Sequence, residues 1–145
     1  MWRGVALRLL EPAAAAWIAR QEHRILREGE PLSRAQLADA ALAGVLRPEL
    51  VRISVMPLIP PFWSRLRLVG SNTIGLSARY GIWLREDYRH DRRLLLHELA
   101  HTSQYERVGG IRPFLRQYLR EWLAVGYPAG ALETEAAAKA ERLCA

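Results

Sequence analysis

The N-terminal third of the chain carries its apolar residues at helical spacing. Trp17, Ile18, Ile25 and Leu26, with Gln21 between them, fall at three- and four-residue spacing. The pattern predicts a helix that opens at Pro12, where a missing N–H is harmless, and closes at Gly29 and Pro31. A second, shorter helix is expected behind Ser33 as its N-cap, ahead of Leu37, Ala41 and Leu42, with Gly44 and Pro48 as its end. The period then changes. Leu50 to Met56 alternates apolar and polar, the mark of a half-buried strand. Pro57, Pro60 and Pro61 forbid regular structure as far as about Trp63. Two more strand-like runs, 73–79 and 81–85, flank Tyr80-Gly81, which suits a tight turn, so a hairpin is expected.

The final third is helical again. Asp91 can cap a helix that runs to about Arg107 and stops at Gly109-Gly110. Pro113 starts another through Phe114, Leu115, Tyr118, Leu119 and Trp122, stopped by Gly126 and Pro128. An alanine-rich helix from about Ala131 to Leu143 follows. Helices, then a small sheet, then helices make an α+β domain. At 145 residues the chain reads as one domain, with N-terminal helices in 1–48, a small sheet in 50–86 and a helical part in 91–145.

Composition narrows the classes. The one cysteine, Cys144, excludes a disulfide framework within the chain and any CxxC site. No apolar run reaches the ~18 residues of a membrane span. Arg8 and Glu11 interrupt the one stretch that resembles a signal peptide, so a cytoplasmic protein is expected. The net charge is +6, carried by 20 arginines and one lysine, Lys139. Arg20, Arg24 and Arg27, like Arg112, Arg116 and Arg120, recur at helical intervals without interleaved aromatics. That spacing favours solvated helix faces over a nucleic-acid surface.

One stretch carries chemistry: Leu94-Leu-Leu-His97-Glu98-Leu-Ala-His101, an HExxH. Two histidines four apart project from one helical face and can share a Zn²⁺. Glu98 follows the first ligand, rotated off the metal, where it can take a proton from the water that the metal activates. A chain with four histidines and 12 glutamates produces this motif by accident about once in a hundred cases. The apolar flanks reduce that chance, because two ionisable rings on a buried helix are costly without partners.

A catalytic zinc takes three protein ligands, so one more is required. His23, His90 and Cys144 are candidates. A carboxylate on a helix packed across from the histidines is the better one, and Ala131 to Ala140 supplies it. Glu133 shares a face with Ala136, Ala137 and Ala140, small residues that permit close helix approach. Glu135 is rotated about 200° from Glu133, so only one can face the metal. The assignment falls to Glu133, with Glu135 as the alternative.

The run LLLHELAHTSQYERVGGIRPFLRQYL, with Tyr127 and ALETEA after it, resembles the gluzincin-type zinc metallopeptidases. It is similar in particular to small bacterial zincin-like domains, including the metallopeptidase-like core domain associated with contractile injection systems. The shared pattern is His97, Glu98, His101, Gln104, Gly109, Phe114 to Leu119 and Glu133 to Ala136. It covers about residues 50 to 145. Ala129-Gly130-Ala131 departs from the Asn/Ile-Pro that relatives tend to carry there. The resemblance implies a zincin-like fold, with a small mixed or antiparallel sheet. It places the ligand glutamate three residues before an alanine, again at Glu133.

The expected activity is peptide-bond hydrolysis, with Zn²⁺ on His97, His101 and Glu133 and Glu98 as general base. Tyr127 or Tyr105 is a candidate second electrophile for the oxyanion. A peptide or protein substrate is expected to pair with the strand 73–79. Two other readings stand beside this one: a zincin scaffold that binds a partner without cleaving it, and a basic nucleic-acid-binding module.

Overall fold

The computed structural model describes residues 2–57 and 73–145. The elements are α1 (Trp2–Glu28), β1 (Glu30–Pro31), α2 (Arg34–Leu42), β2 (Arg52–Met56), β3 (Gly75–Ala78), β4 (Gly81–Arg85), α3 (Arg92–Val108), α4 (Ile111–Val125) and α5 (Ala131–Cys144). Short 3₁₀ turns at Pro48–Leu50 and Glu86–Tyr88 precede β2 and α3. The α+β class is as expected. Beyond Pro57, the proline-rich stretch to Trp63 lies outside the described residues.

Among the described residues the sheet is mixed, in the order β1-β2-β4-β3. β2 runs parallel to β4, with Ile53 opposite Ile82, and β3 closes the antiparallel hairpin on the other side of β4. Side chains alternate across it. Ile82 and Leu84 face α3 and join a core with Val51, Leu95, Leu96 and Leu99. Trp83 faces α1, its ring 6.1 Å from that of Trp17. A second core joins Ala14, Ala15 and Ile18 of α1 to Phe114, Leu115 and Leu119 of α4. The sheet therefore lies between α1 and α3, and α3 carries HExxH along its inner face.

The structure corrects several expectations. Pro12 does not open α1, which starts at Trp2. The same packing face continues on both sides of the proline, with Leu7 and Leu10 before it and Ala14 and Ala15 after it. Glu11 also binds Arg112 and Arg116 of α4. That tertiary packing overrides the lost main-chain hydrogen bond. Pro31 lies in the two-residue strand β1, paired with Arg52. On α2, Ser33 forms the expected cap, a full capping box with Gln36. Leu37 and Leu42 are exposed, while Ala40 and Asp39 are buried, the latter ion-paired to Arg92.

Leu50 belongs to a 3₁₀ turn rather than to β2, and α4 begins two residues before Pro113. The hairpin turn is Arg79-Tyr80, not Tyr80-Gly81. Arg79 adopts φ +61°, held by two 2.7 Å hydrogen bonds to Glu22 of α1. The same carboxylate accepts the Tyr80 N–H. Gly81 starts β4 because α1 presses on it: a Cβ there would stand 3.0 Å from the Ile25 Cβ.

Two caps set the ends that matter for the site. The Asp91 carboxylate accepts the Leu94 N–H at the start of α3. Glu121 of α4 accepts the Leu132 N–H at 2.8 Å and so places the first turn of α5. No helix among the described residues is long and apolar enough to cross a membrane.

Candidate metal centre

α3 and α5 form the most extensively packed pair of elements among the described residues. Small residues line the approach: Ala100 on α3 and Ala136 and Ala140 on α5 are all fully buried. Ala137, expected on the same face, is exposed instead. The buried stripe is Leu132, Glu133, Ala136 and Ala140, whose i, i+4 spacing carries it past Ala137.

This packing brings His97, His101 and Glu133 together. The Nε2 atoms of the two histidines are 3.1 Å apart. Glu133 Oε2 lies 3.0 Å from His97 Nε2, and Glu133 Oε1 lies 3.1 Å from His101 Nε2. Ligands at about 2.1 Å around a tetrahedral ion are separated by about 3.4 Å. Three donors of suitable type therefore already stand close to the spacing one ion needs, and this set can hold a metal. His23 and His90 are exposed and Cys144 is packed against the core, and none of the three joins the cluster.

His101 and Glu133 shift each other's titration in opposite directions. Burial alone would lower the His101 ring's pKa. The hydrogen bond and charge of Glu133, the charge of Glu98 and the contact with Gln104 outweigh it and bring the ring up to about 9. Burial works against the Glu133 carboxylate, but the hydrogen bonds and charges of His101 and His97 hold it far below the usual carboxylate range.

Glu98 lies in the same cleft, with Gly75, Ser77 and Tyr127 in its walls. It is only 5% exposed. Burial raises its carboxyl pKa, and the nearby imidazoles and the Ser77 amide counter this only in part. That favours a group that must pick up a proton near neutral pH. The cleft deepens into an apolar pocket lined by Ile18, Leu76, Phe114 and Leu119.

Tyr127, half exposed, borders the cleft beside His97 and Glu98. Burial and the two carboxylates push its phenol up to about 12, so it keeps its proton as a donor. Tyr105, the other expected electrophile, is committed elsewhere. It is buried, stacked on Phe114, and donates to the Ser77 carbonyl at 3.1 Å. That contact also narrows the expected substrate strand. At Ser77 the edge carbonyl of β3 is already used, and of the described residues 73–79 it is Thr73, Ile74 and Gly75 that border the outer cleft.

Two further site residues, Gln104 and Tyr118, belong to the zincin-like sequence pattern, which by itself gives neither of them a role. Tyr118 of α4 donates to Glu133 Oε1 at 2.9 Å. Its phenol is raised by burial first, and by the Glu133 charge and hydrogen bond after that. Gln104 of α3 is wholly buried and meets His101 Nδ1 at 2.8 Å. The available signal is spacing: Gln104 follows His101 by three residues on one helix face. Tyr118 follows Phe114 by four, a spacing that by itself reads as core packing.

Of the arginines at helical intervals, Arg24 pairs with Glu28 one turn on in α1, and Arg112 and Arg116 pair with Glu11 of α1. Arg79, Arg92, Arg107, Arg112 and Arg116 each pair with an acid on a different element. Comparisons with protein-family models, with curated proteins and with solved structures find no match.

Proposed function

We propose that this chain is a zinc-dependent peptidase, with His97, His101 and Glu133 as metal ligands and Glu98 as general base. The observation that carries the reading is the convergence of two Nε2 atoms and a carboxylate within about 3 Å of one another, beside a buried carboxyl of raised pKa. Two imidazoles and one carboxylate are a donor set for zinc, and three protein ligands leave one position open.

Bound Zn²⁺ supplies Lewis acidity, which acidifies water and polarises a carbonyl. The chain supplies the rest. Glu98 accepts a proton from the attacking water and passes it to the leaving amine. In this reading Tyr127, at the border of the cleft, donates a hydrogen bond to the developing oxyanion. Tyr118 keeps Glu133 oriented by its donated hydrogen bond. The segment Thr73 to Gly75 borders the cleft, where an extended peptide could lie.

The test is Glu98→Gln. This variant should retain one zinc per chain and lose peptide hydrolysis by roughly 10²–10⁴-fold. Hydrolysis at the unaltered rate removes Glu98 from the chemistry. Zinc bound by the unaltered chain without cleavage of any peptide favours the partner-binding scaffold instead.

A further inference from the structure

Gln104 is a neutral amide at 0% exposure, on the side of His101 away from Glu133. A buried amide requires partners for both its ends. Its Nε2 donates to the Leu132 carbonyl at 2.9 Å and to Glu135 Oε1 at 3.1 Å. Both partners are acceptors only, so the NH₂ group must face them. Its Oε1 is thereby turned to His101 Nδ1, 2.8 Å away. An amide oxygen only accepts, so Nδ1 must carry the hydrogen. The lone pair of a neutral His101 then lies on Nε2, the atom that faces His97 and Glu133.

Glu135 is itself held. Arg107, one turn beyond Gln104 on α3, donates to Glu135 Oε1 at 2.8 Å and to Oε2 at 3.3 Å. Leu132 and Glu135 flank Glu133 on α5. The seating of the glutamate helix and the tautomer of the histidine therefore pass through one side chain.

We infer that Gln104, clamped by Leu132 and the Glu135–Arg107 pair, is a positioning residue that locks His101 as the Nδ1–H tautomer and couples that choice to the docking of α5. A carboxylate at 104 could hold the same ring proton. It could not donate to Leu132 or Glu135, and it would place another negative charge beside Glu135. The neutral amide is the group that satisfies a donor on one side and two acceptors on the other.

The inference rests on the proposed zinc site but not on hydrolysis, so its test reads metal and tautomer. Zinc affinity is measured by chelator competition on the full chain. The His101 ring is read from a long-range ¹H–¹⁵N spectrum of the zinc-loaded protein. The unaltered chain should show His101 ligated through Nε2, with a slowly exchanging Nδ1–H. Gln104→Met and Gln104→Glu should each weaken zinc by about 10–100-fold, and Gln104→Met should lose the exchange protection of the Nδ1–H. Because Gln104 is buried, a second pair serves if those variants fail to fold. Glu135→Ala should weaken zinc by about 10-fold, while Glu135→Gln, which keeps an oxygen for the Gln104 amide, should restore most of it. The inference is overturned if His101 ligates through Nδ1, if folded Gln104 variants bind zinc as the unaltered chain does, or if Glu135→Ala leaves both readouts unmoved. If the unaltered chain binds no zinc, the peptidase reading fails with it; if only the variants behave like the unaltered chain, that reading survives.

Discussion

Gly75 lies directly against Glu98. A Cβ on Gly75 would stand 3.0 Å from Glu98 Oε1 and 3.3 Å from its Cγ. The first residue of β3 thus makes room for the carboxylate of α3, and the bare backbone at that point is a wall of the cleft. Gly75→Ala should move Glu98 by a few tenths of an ångström and press on Leu94 as well. We expect a drop in kcat with zinc stoichiometry unchanged, and a loss of stability of about 1–3 kcal/mol. Steady-state kinetics beside elemental analysis and denaturant unfolding decide this; unchanged kcat would mean the Glu98 position tolerates displacement.

Removing Glu133 should matter far more than removing its neighbour. Glu133→Ala leaves two imidazoles, which rarely hold zinc against buffer. His97→Ala and His101→Ala should each lose the metal as well. Elemental analysis after gel filtration reads all three, with the unaltered chain expected near one zinc. Full zinc in both histidine variants would place the metal elsewhere.

Metal loading should release protons. His101 must be neutral to ligate; burial pushes its ring down, but Glu133, Glu98 and Gln104 outweigh that and bring it up to about 9. Below that value a proton competes with the metal, so apparent affinity should fall as pH falls from about 9. Calorimetry in two buffers of different ionisation heat at pH 7.5 checks this. An affinity flat between pH 8 and pH 6 contradicts histidine ligation.

Tyr118→Phe removes the 2.9 Å hydrogen bond to Glu133 while keeping the ring against Phe114. Zinc affinity should fall by about 10-fold or more, since loss of a ligand's orienting partner has effects of that order. Chelator competition measures it, and equal affinity would make Tyr118 a packing residue only.

The Glu11 contact with α4 should give a pH-dependent share of stability. The Arg116 hydrogen bond lowers the Glu11 pKa against the effect of burial, and the Arg116 and Arg112 charges add to it. A folded pKa below the unfolded one contributes stability above the unfolded value, and that contribution is lost as pH falls through the folded value. Glu11→Gln should therefore lose up to about 1 kcal/mol at pH 7, with the gap to the unaltered chain closing below about pH 4.3. Urea unfolding at pH 7 and pH 3.5 tests it; an equal gap at both would assign the effect to packing.

Local periodicity was sufficient for the long elements. The HExxH helix, its Asp91 cap and the alanine-rich last helix were legible because their signals lie within a few residues of one another. So was the pairing of His97 with His101, since a helix of 3.6 residues per turn places i and i+4 together. That Glu133 and Glu135 cannot both face the histidines follows from one rotation on one helix, and the alanine face favoured Glu133.

The rest depended on contacts between distant parts of the chain. Pro12 lies mid-helix because α4 packs along both sides of it, and α2 turns Asp39 inward because Arg92 is there to pair with it. Tyr105 was indistinguishable from a donor until the Ser77 carbonyl was placed over it, and Tyr118 from core packing until Glu133 came within 2.9 Å. Gln104, Glu135 and Arg107 become one chain of hydrogen bonds only when α5 lies against α3. The residues able to do chemistry were written in local spacing. Which of them meet was decided by packing, because a hydrogen bond formed within about 3 Å between helices leaves no period in the sequence.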